Sequence, residues 1–204
     1  MQAWHINSFG DASVFSLENT PDPQPFKNKV LIRVKAFGVN HRDRQMRRGK
    51  LRSRRPFPMI LGTECVGEVI NGGGTDLKPG TTVMAVIEDR LDFKSGTYAE
   101  KVLIPREEVF PIKSDLDWPL LAALPCSYLW AWDILFNRLS LQNGQSLFIN
   151  VGSSAVGLAA LNVAKAFGCK VIVGTQSEGK DKLLRKAGAD QVLFDPQARY
   201  ATKL

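Results

Sequence analysis

The spacing of apolar residues along the chain changes from alternating to helical. From Val30 to Ala36 every second residue is apolar, which predicts a half-buried strand. Glycine and proline turn signals separate further apolar runs, and the strands they predict are Cys65–Ile70, Thr82–Ile87 and Tyr98–Ile104. This pattern predicts an all-β, turn-rich domain over residues 1–117.

Helical signals begin at the end of this β region. Asp117 is a favourable N-cap and Pro119 suits the first helical turn, so a helix is predicted to start there. Pro125 is predicted to kink this helix or to split it in two. We therefore expect linking helices over residues 118–143.

The remaining residues, 144–204, repeat a strand–helix pattern. Leu147–Val151 and Lys170–Val173 are apolar runs of strand length, and the segment between them has helical spacing and ends at Gly168, a predicted left-handed cap. A second helix is predicted from Glu178 to Ala187, followed by the strand Gln191–Phe194. Such a βαβαβ unit is the first half of a doubly wound parallel sheet with strands in the order 3-2-1.

The turn after the first of these strands is a candidate dinucleotide site. Gly152, Ser154 and Gly157 occupy the three glycine positions of a G-x-G-x-x-G motif, with serine in the middle position. Small residues allow close approach to a pyrophosphate, and the helix N-terminus offers free N–H groups. The predicted pyrophosphate-binding residues are Gly152, Ser153, Ser154, Ala155, Val156 and Gly157. The alternative is a plain α/β unit whose glycines serve packing alone.

The end of the second strand bears on the choice of coenzyme. A site specific for NADH places a carboxylate there, but this chain has small neutral residues and then lysines. We expect Gly174, Thr175, Ser177 and Lys180 to accommodate the 2′-phosphate of NADPH. The alternative is that the lysines belong to the solvated face of the next helix.

Positive charge is concentrated in one segment of the chain. The net charge is +7, and residues 41–55 hold eight Lys/Arg and one Asp, which equals that excess. Three interpretations stay open: a solvated surface loop, a cradle for an anionic substrate or cofactor phosphate, and a contact with RNA or DNA.

The sequence also bears on the cellular compartment. It has no run of 18 apolar residues and no signal-peptide pattern at its N-terminus, so we expect a cytoplasmic protein without membrane attachment. Cys65, Cys126 and Cys169 lie far apart in apolar surroundings, which favours reduced core thiols over disulfides.

The whole chain resembles the N-terminal part of the medium-chain dehydrogenase/reductase superfamily, in its zinc-free quinone oxidoreductase branch. The motifs that carry this resemblance are VLIRVKAFGVNHRD (30–43), ILGTECVGEVI (60–70), GTYAEKVLIP (96–105), AALP (122–125), NVGSSAVGLAALNVAKAFG (150–168) and KAGADQV (186–192). The resemblance implies an α/β plus β fold, in which a GroES-like β domain precedes the first half of a Rossmann sheet. Because the second half is missing, we expect a shortened chain, an interrupted reading frame, or a partner that supplies the missing strands. The resemblance also suggests a homo-oligomer.

The resemblance also bears on metal binding. Asn40 stands where the zinc-dependent branch has Cys, and Thr63 stands where that branch has His. Neither residue suits catalytic zinc, so no metal site is predicted. Tyr128 and Trp130 replace the Gly and Thr that this family usually carries near the nicotinamide.

The activity implied is hydride transfer from NADPH to a quinone or to an activated C=C bond (an enone). Asn40 would orient the substrate or the nicotinamide at the cleft. An enoyl-thioester reductase is the close alternative, with the basic segment attracting a phosphate-bearing acyl carrier. A non-catalytic nucleotide- or nucleic-acid-binding protein is the alternative from another class.

Overall fold

The computed structural model describes residues 1–51, 56–87 and 96–200. The chain divides into two compact units, Met1–Cys126 and Ser127–Leu204. The predicted linking segment 118–143 contains the point at which the units divide.

Antiparallel sheets form the first unit. Its strands are β1 (Gln2–Ile6), β2 (Phe15–Asn19), β3 (Lys29–Phe37), β4 (Met59–Ile60), β5 (Glu64–Asn71), β6 (Thr82–Val86), β7 (Lys101–Pro105) and β8 (Val109–Pro111). Five of them pair in the order β7-β3-β5-β6-β8, and three in the order β2-β1-β4. This arrangement confirms the predicted turn-rich β architecture.

The predicted strands differ from the observed ones in two details. Leu31 is buried together with Val30 and Ile32, because β3 lies between β7 and β5 and its register with β5 shifts between Leu31 and Ile32. Tyr98 precedes β7 and pairs with other chain segments: its N–H donates to the Leu61 carbonyl, and its carbonyl accepts from the Trp4 N–H.

Short helices complete the first unit. Helix α1 (His41–Arg47) has Asn40 as its N-cap and lies within the basic segment, where the sequence indicated no helix. Helix α2 (Trp118–Ala122) has the predicted N-cap, since the Asp117 carboxylate accepts from the Leu120 N–H at 3.0 Å. A separate helix, α3 (Pro125–Trp132), begins at Pro125, where a kink or a split of the helix was predicted. A π-helical turn, Asp133–Arg138, follows it.

A three-stranded parallel sheet with two helices forms the second unit. The elements are β9 (Ser146–Ile149), α4 (Ala155–Ala166), β10 (Lys170–Thr175), α5 (Asp181–Lys186) and β11 (Gln191–Phe194). The sheet order is β11-β10-β9, which confirms the predicted 3-2-1 order. Gly168 and Gly188 follow the two helices with φ of +78° and +106°, as left-handed caps require. α5 begins later than predicted, after Gly179 (φ +78°).

The core of the second unit lies between the sheet and the helices α4 and α5. It includes Leu161, Val171, Val173 and Leu184, which are all fully buried. The ring of Tyr200 is also buried, and its centroid lies 5.6 Å from that of Phe148 on β9. In the described part of the chain, no helix combines the length and apolarity required to cross a bilayer.

Candidate functional site

The turn between β9 and α4 depends on its first and third glycines. The Gly152 N–H donates to the Gly174 carbonyl at 3.1 Å, and a Cβ at position 152 would lie 1.8 Å from Val173 Cγ1. A Cβ at Gly157 would lie 2.2 Å from the Val151 carbonyl oxygen. Glycine at both positions therefore lets α4 begin directly against the strands, as a dinucleotide turn requires.

Ser154, at the middle glycine position, is the N-cap of α4. Its Oγ accepts from the Gly157 N–H at 3.0 Å and donates to the Val151 carbonyl at 2.8 Å. Among the hydrogen bonds of residues 1–51, 56–87 and 96–200, none uses the N–H groups of Ala155 or Val156. The turn thus leaves two amide donors at the start of a 12-residue helix, where an anion is favoured.

The corner after β10 is a turn that begins at a buried threonine. The Thr175 side chain is buried and its Oγ1 accepts from the Ser177 N–H at 3.2 Å, so this hydroxyl shapes the turn. Gly174 lies directly under Tyr200, whose ring atoms would be 2.8 Å from a Cβ at position 174. Ser177 and Lys180 are exposed beyond the strand end. Their contact with a 2′-phosphate stays a prediction.

In the first unit, Asn40 is held by a buried carboxylate. Its Nδ2 donates to Glu64 Oε1 at 2.6 Å, and Glu64 Oε2 accepts from the Cys126 N–H at 2.6 Å. Glu64 is only 3% exposed, and this burial raises the pKa of its carboxyl above the ordinary value, against the opposing effect of the two hydrogen bonds. The carboxylate fixes the orientation of the Asn40 amide.

A second buried carboxylate fixes the backbone at the same helix start. Asp43 Oδ2 accepts from the Asn40 N–H at 2.8 Å and from the Tyr98 hydroxyl at 3.0 Å. Burial raises the pKa of the Asp43 carboxyl, with these hydrogen bonds acting in the opposite direction. Asn40 is therefore restrained through both its side chain and its backbone.

The motif analysis did not identify Glu64 as a functional residue. Its only local signal is a single acid in the apolar run 59–67, where a charge needs buried donors. The partners of that acid, Asn40 and Cys126, lie far from it in sequence, so spacing alone could not reveal them.

The two aromatic departures from the family pattern have different surroundings. Tyr128 is half-buried against the core of the second unit, and its hydroxyl accepts from Asn162 Nδ2 at 3.0 Å. Trp130 is 52% exposed.

The described residues also bear on thiols, metal ligands and the basic segment. Cys65, Cys126 and Cys169 form no disulfide within the described part of the chain, and burial raises the pKa of Cys65 to about 12. Within residues 1–51, 56–87 and 96–200, no three His, Cys, Asp or Glu side chains form a cluster suited to a metal ion. Residues 52–55 of the basic segment lie outside the described residues.

Comparisons with known proteins agree with this architecture. Residues 27–114 match the alcohol dehydrogenase GroES-like domain family. The chain is 31% identical over 207 aligned positions to a quinone oxidoreductase from Rattus norvegicus, and the alignment covers all of this chain and 61% of that protein. Among solved structures it is similar to AibC, with a TM-score of 0.90 and 28% identity over 100% of this chain and 63% of AibC. It is also similar to mycobacterial Rv1454c complexed with NADPH, with a TM-score of 0.80 and 28% identity over 97% of this chain and 58% of that one.

These findings confirm the resemblance drawn from the motifs: along its whole length the chain is similar to proteins of the medium-chain dehydrogenase/reductase superfamily. Within that superfamily it is similar to quinone oxidoreductases, and it spans 61% of the length of the rat relative. The GroES-like fold followed by parallel strands is likewise confirmed. The relatives named here include a quinone oxidoreductase, and one of the similar solved structures is complexed with NADPH.

Proposed function

We propose that this protein is a zinc-independent, NADPH-dependent oxidoreductase that transfers hydride to a quinone or to an activated C=C bond. The observation that carries the proposal is the turn at residues 152–157. Gly152 leaves room for the Val173 side chain and Gly157 for the Val151 carbonyl oxygen, and two amides at the start of α4 have no partner in the described part of the chain. This geometry suits the pyrophosphate of a dinucleotide.

The binding step uses residues of the turn and of the corner after β10. The amides of Ala155 and Val156 would donate to the pyrophosphate, while Ser154 keeps the helix start in place through its cap. Exposed Ser177 and Lys180 would bind the 2′-phosphate and so favour NADPH over NADH. Thr175 would act indirectly, since its hydroxyl orders the turn that carries Ser177.

The bound nicotinamide would supply the hydride, and this chain's residues would position the reactants. The Asn40 amide, fixed by Glu64, would orient the substrate or the nicotinamide. Hydrogen-bond donors and a solvent proton suffice for the developing phenolate or enolate oxygen. Asn40 and Thr63 are unsuited to the zinc-ligand role, which supports zinc-independent chemistry. The cytoplasmic location, a homo-oligomeric state and a nucleic-acid contact stay predictions.

The experiment is a turnover assay of the full chain with NADPH and a simple quinone, followed by the nicotinamide absorbance. Asn40→Ser keeps an N-cap hydroxyl on α1 but removes the amide and its bond to the buried Glu64 carboxylate, so we expect turnover to fall about tenfold or more and the free energy of unfolding to fall by about 1–3 kcal/mol. A 2-enoyl thioester in place of the quinone separates the two reductase hypotheses. Turnover that is unchanged in Asn40→Ser would contradict the role of Asn40, and no turnover with either substrate would contradict the proposed function.

A further inference from the structure

The first unit contains a cavity of about 480 Å³ that the proposed hydride transfer does not use. Its walls are mainly apolar, and four of the nine lining residues are aromatic. The rings of Phe37 and Tyr98 are stacked with centroids 4.6 Å apart, and Phe15 lies 6.2 Å from Tyr98 and 6.3 Å from Trp4. Such walls suit a flat apolar group of ligand size.

Two arginines of α1 line the same cavity. The Arg47 guanidinium carbon lies 5.6 Å from the centre of the Phe15 ring. Arg47 Nε is buried without a hydrogen-bond partner, which leaves an unsatisfied charged donor beside an apolar space. Throughout the described part of the chain, neither Arg44 nor Arg47 forms an ion pair. Both cations are therefore available to an external anion.

One carboxylate, Asp43, also lines the cavity. Its Oδ2 already accepts from the Asn40 N–H and from the Tyr98 hydroxyl. With Asp43 ionised, the lining still has two positive charges against one negative charge, so an anion is favoured over a cation.

Asp43 and Arg47, which line the cavity, lie on a different face of α1 from His41, the residue that follows Asn40. His41 and Gln45 are one helical turn apart and are in contact, with their Nε2 atoms 2.7 Å apart. Asp43 and Arg47 are also one turn apart and lie about 160–200° around the helix from Gln45. Arg44, which also lines the cavity, is about 60° around the helix from His41, so only the part of a ligand beside Asp43 and Arg47 would lie away from the His41–Gln45 face.

We propose that this cavity is a binding site for an organic anion with a flat apolar body. The body would lie against the rings of Phe15, Phe37 and Tyr98, and a carboxylate or sulfonate would accept from the terminal guanidinium nitrogens of Arg44 and Arg47. Charge-assisted hydrogen bonds of this kind are about twice as strong as neutral ones. The site requires no coenzyme, so it stands independently of the proposed oxidoreductase function.

The test is a calorimetric titration of the full chain with naphthalene-2-carboxylate, with the neutral 2-naphthylmethanol as a matched probe. We expect Arg47→Gln and Arg44→Gln each to weaken binding of the carboxylate about fivefold to tenfold or more, because each removes a charged donor. Binding of the alcohol should change less than about twofold, since the aromatic walls are intact. Arg48→Gln is the matched control: it removes one charge next to Arg47 without touching the cavity lining, and its carboxylate affinity should equal that of the unaltered chain.

Three outcomes would overturn the proposal. The first is that naphthalene-2-carboxylate does not bind. The second is that it binds no more tightly than the alcohol. The third is that Arg48→Gln weakens the binding of naphthalene-2-carboxylate as much as Arg47→Gln does, which would indicate a general attraction of the anion to the basic segment.

Discussion

The replacement of Ser154 by alanine tests whether this serine serves as a helix cap. The structure uses both hydrogen-bonding functions of its hydroxyl, which accepts from the Gly157 N–H at 3.0 Å and donates to the Val151 carbonyl at 2.8 Å. Ser154→Ala removes both bonds and leaves one more amide of the first turn of α4 without a partner. Ser154→Gly restores the usual glycine of the motif, and glycine is itself a tolerated N-cap.

The magnitude follows from the cost of losing a cap. Alanine at an N-cap costs about 1 kcal/mol, with a range of about 0.5–2 kcal/mol, whereas glycine costs only a few tenths. The Val151 carbonyl also accepts from the Ser154 N–H at 3.2 Å, so it keeps a partner in both variants and adds little to the cost. We therefore expect a loss of about 1 kcal/mol for Ser154→Ala and clearly less for Ser154→Gly.

Hydrogen exchange of the α4 amides is the direct assay, because it reports local opening of this helix. A loss of about 1 kcal/mol accelerates exchange at Gly157 and in the following turn about fivefold. Ser153→Ala is the matched control, since no hydrogen bond of the Ser153 side chain occurs in the described part of the chain. Equal exchange rates in Ser154→Ala and Ser153→Ala, or faster exchange in Ser154→Gly than in Ser154→Ala, would refute this reasoning.

Three further predictions concern the packing of the turn, a buried acid and the coenzyme. Gly157→Ala places a Cβ against a backbone oxygen, so it should destabilise the second unit by about 1–3 kcal/mol in urea unfolding; a variant as stable as the parent would contradict this. The pKa of Glu64 is raised above 4.5, so the folded state keeps a proton that the unfolded chain has lost, and the free energy of unfolding should fall as pH rises through that window. Glu64→Gln should flatten this dependence and Glu68→Gln, at an exposed ion pair with Lys35, should not; equal profiles would show that Glu64 is not responsible. Lys180→Ala should weaken the binding of NADPH about tenfold and leave the binding of NADH unchanged. Lys186→Ala, at the other end of α5, should change neither affinity. An unchanged NADPH affinity in Lys180→Ala would exclude the phosphate contact.

The second unit was predictable because its signals are local. Gly168 and Gly188 end helices through positive φ values, and the alternation of short apolar runs with helical spacing predicts parallel strands. The break between α2 and α3 followed in the same way from Pro125, whose ring cannot continue a helix. Each of these features depends on a few neighbouring residues.

Long-range pairs were not predictable from spacing. Asn40 contacts Glu64 across 24 residues, and Tyr98 donates to Asp43 across 55 residues. α1 was missed because its charged residues carry no helical apolar stripe; the Asp43 carboxylate caps its first turn, and the burial of Met46 adds a tertiary contact. The Tyr200 ring over Gly174 depends on the path of the chain after β11, which no local pattern indicates.

The central claim is that the turn at residues 152–157 binds a dinucleotide and that the corner after β10 selects NADPH. A calorimetric titration of the 204-residue chain with NADPH and, in parallel, with NADH tests it most directly. The account predicts binding of both coenzymes, with NADPH the tighter by about tenfold or more, since one charge-assisted contact to the 2′-phosphate is worth about that factor. Equal affinities would contradict the role of Ser177 and Lys180, and no binding of either coenzyme would contradict the claim itself.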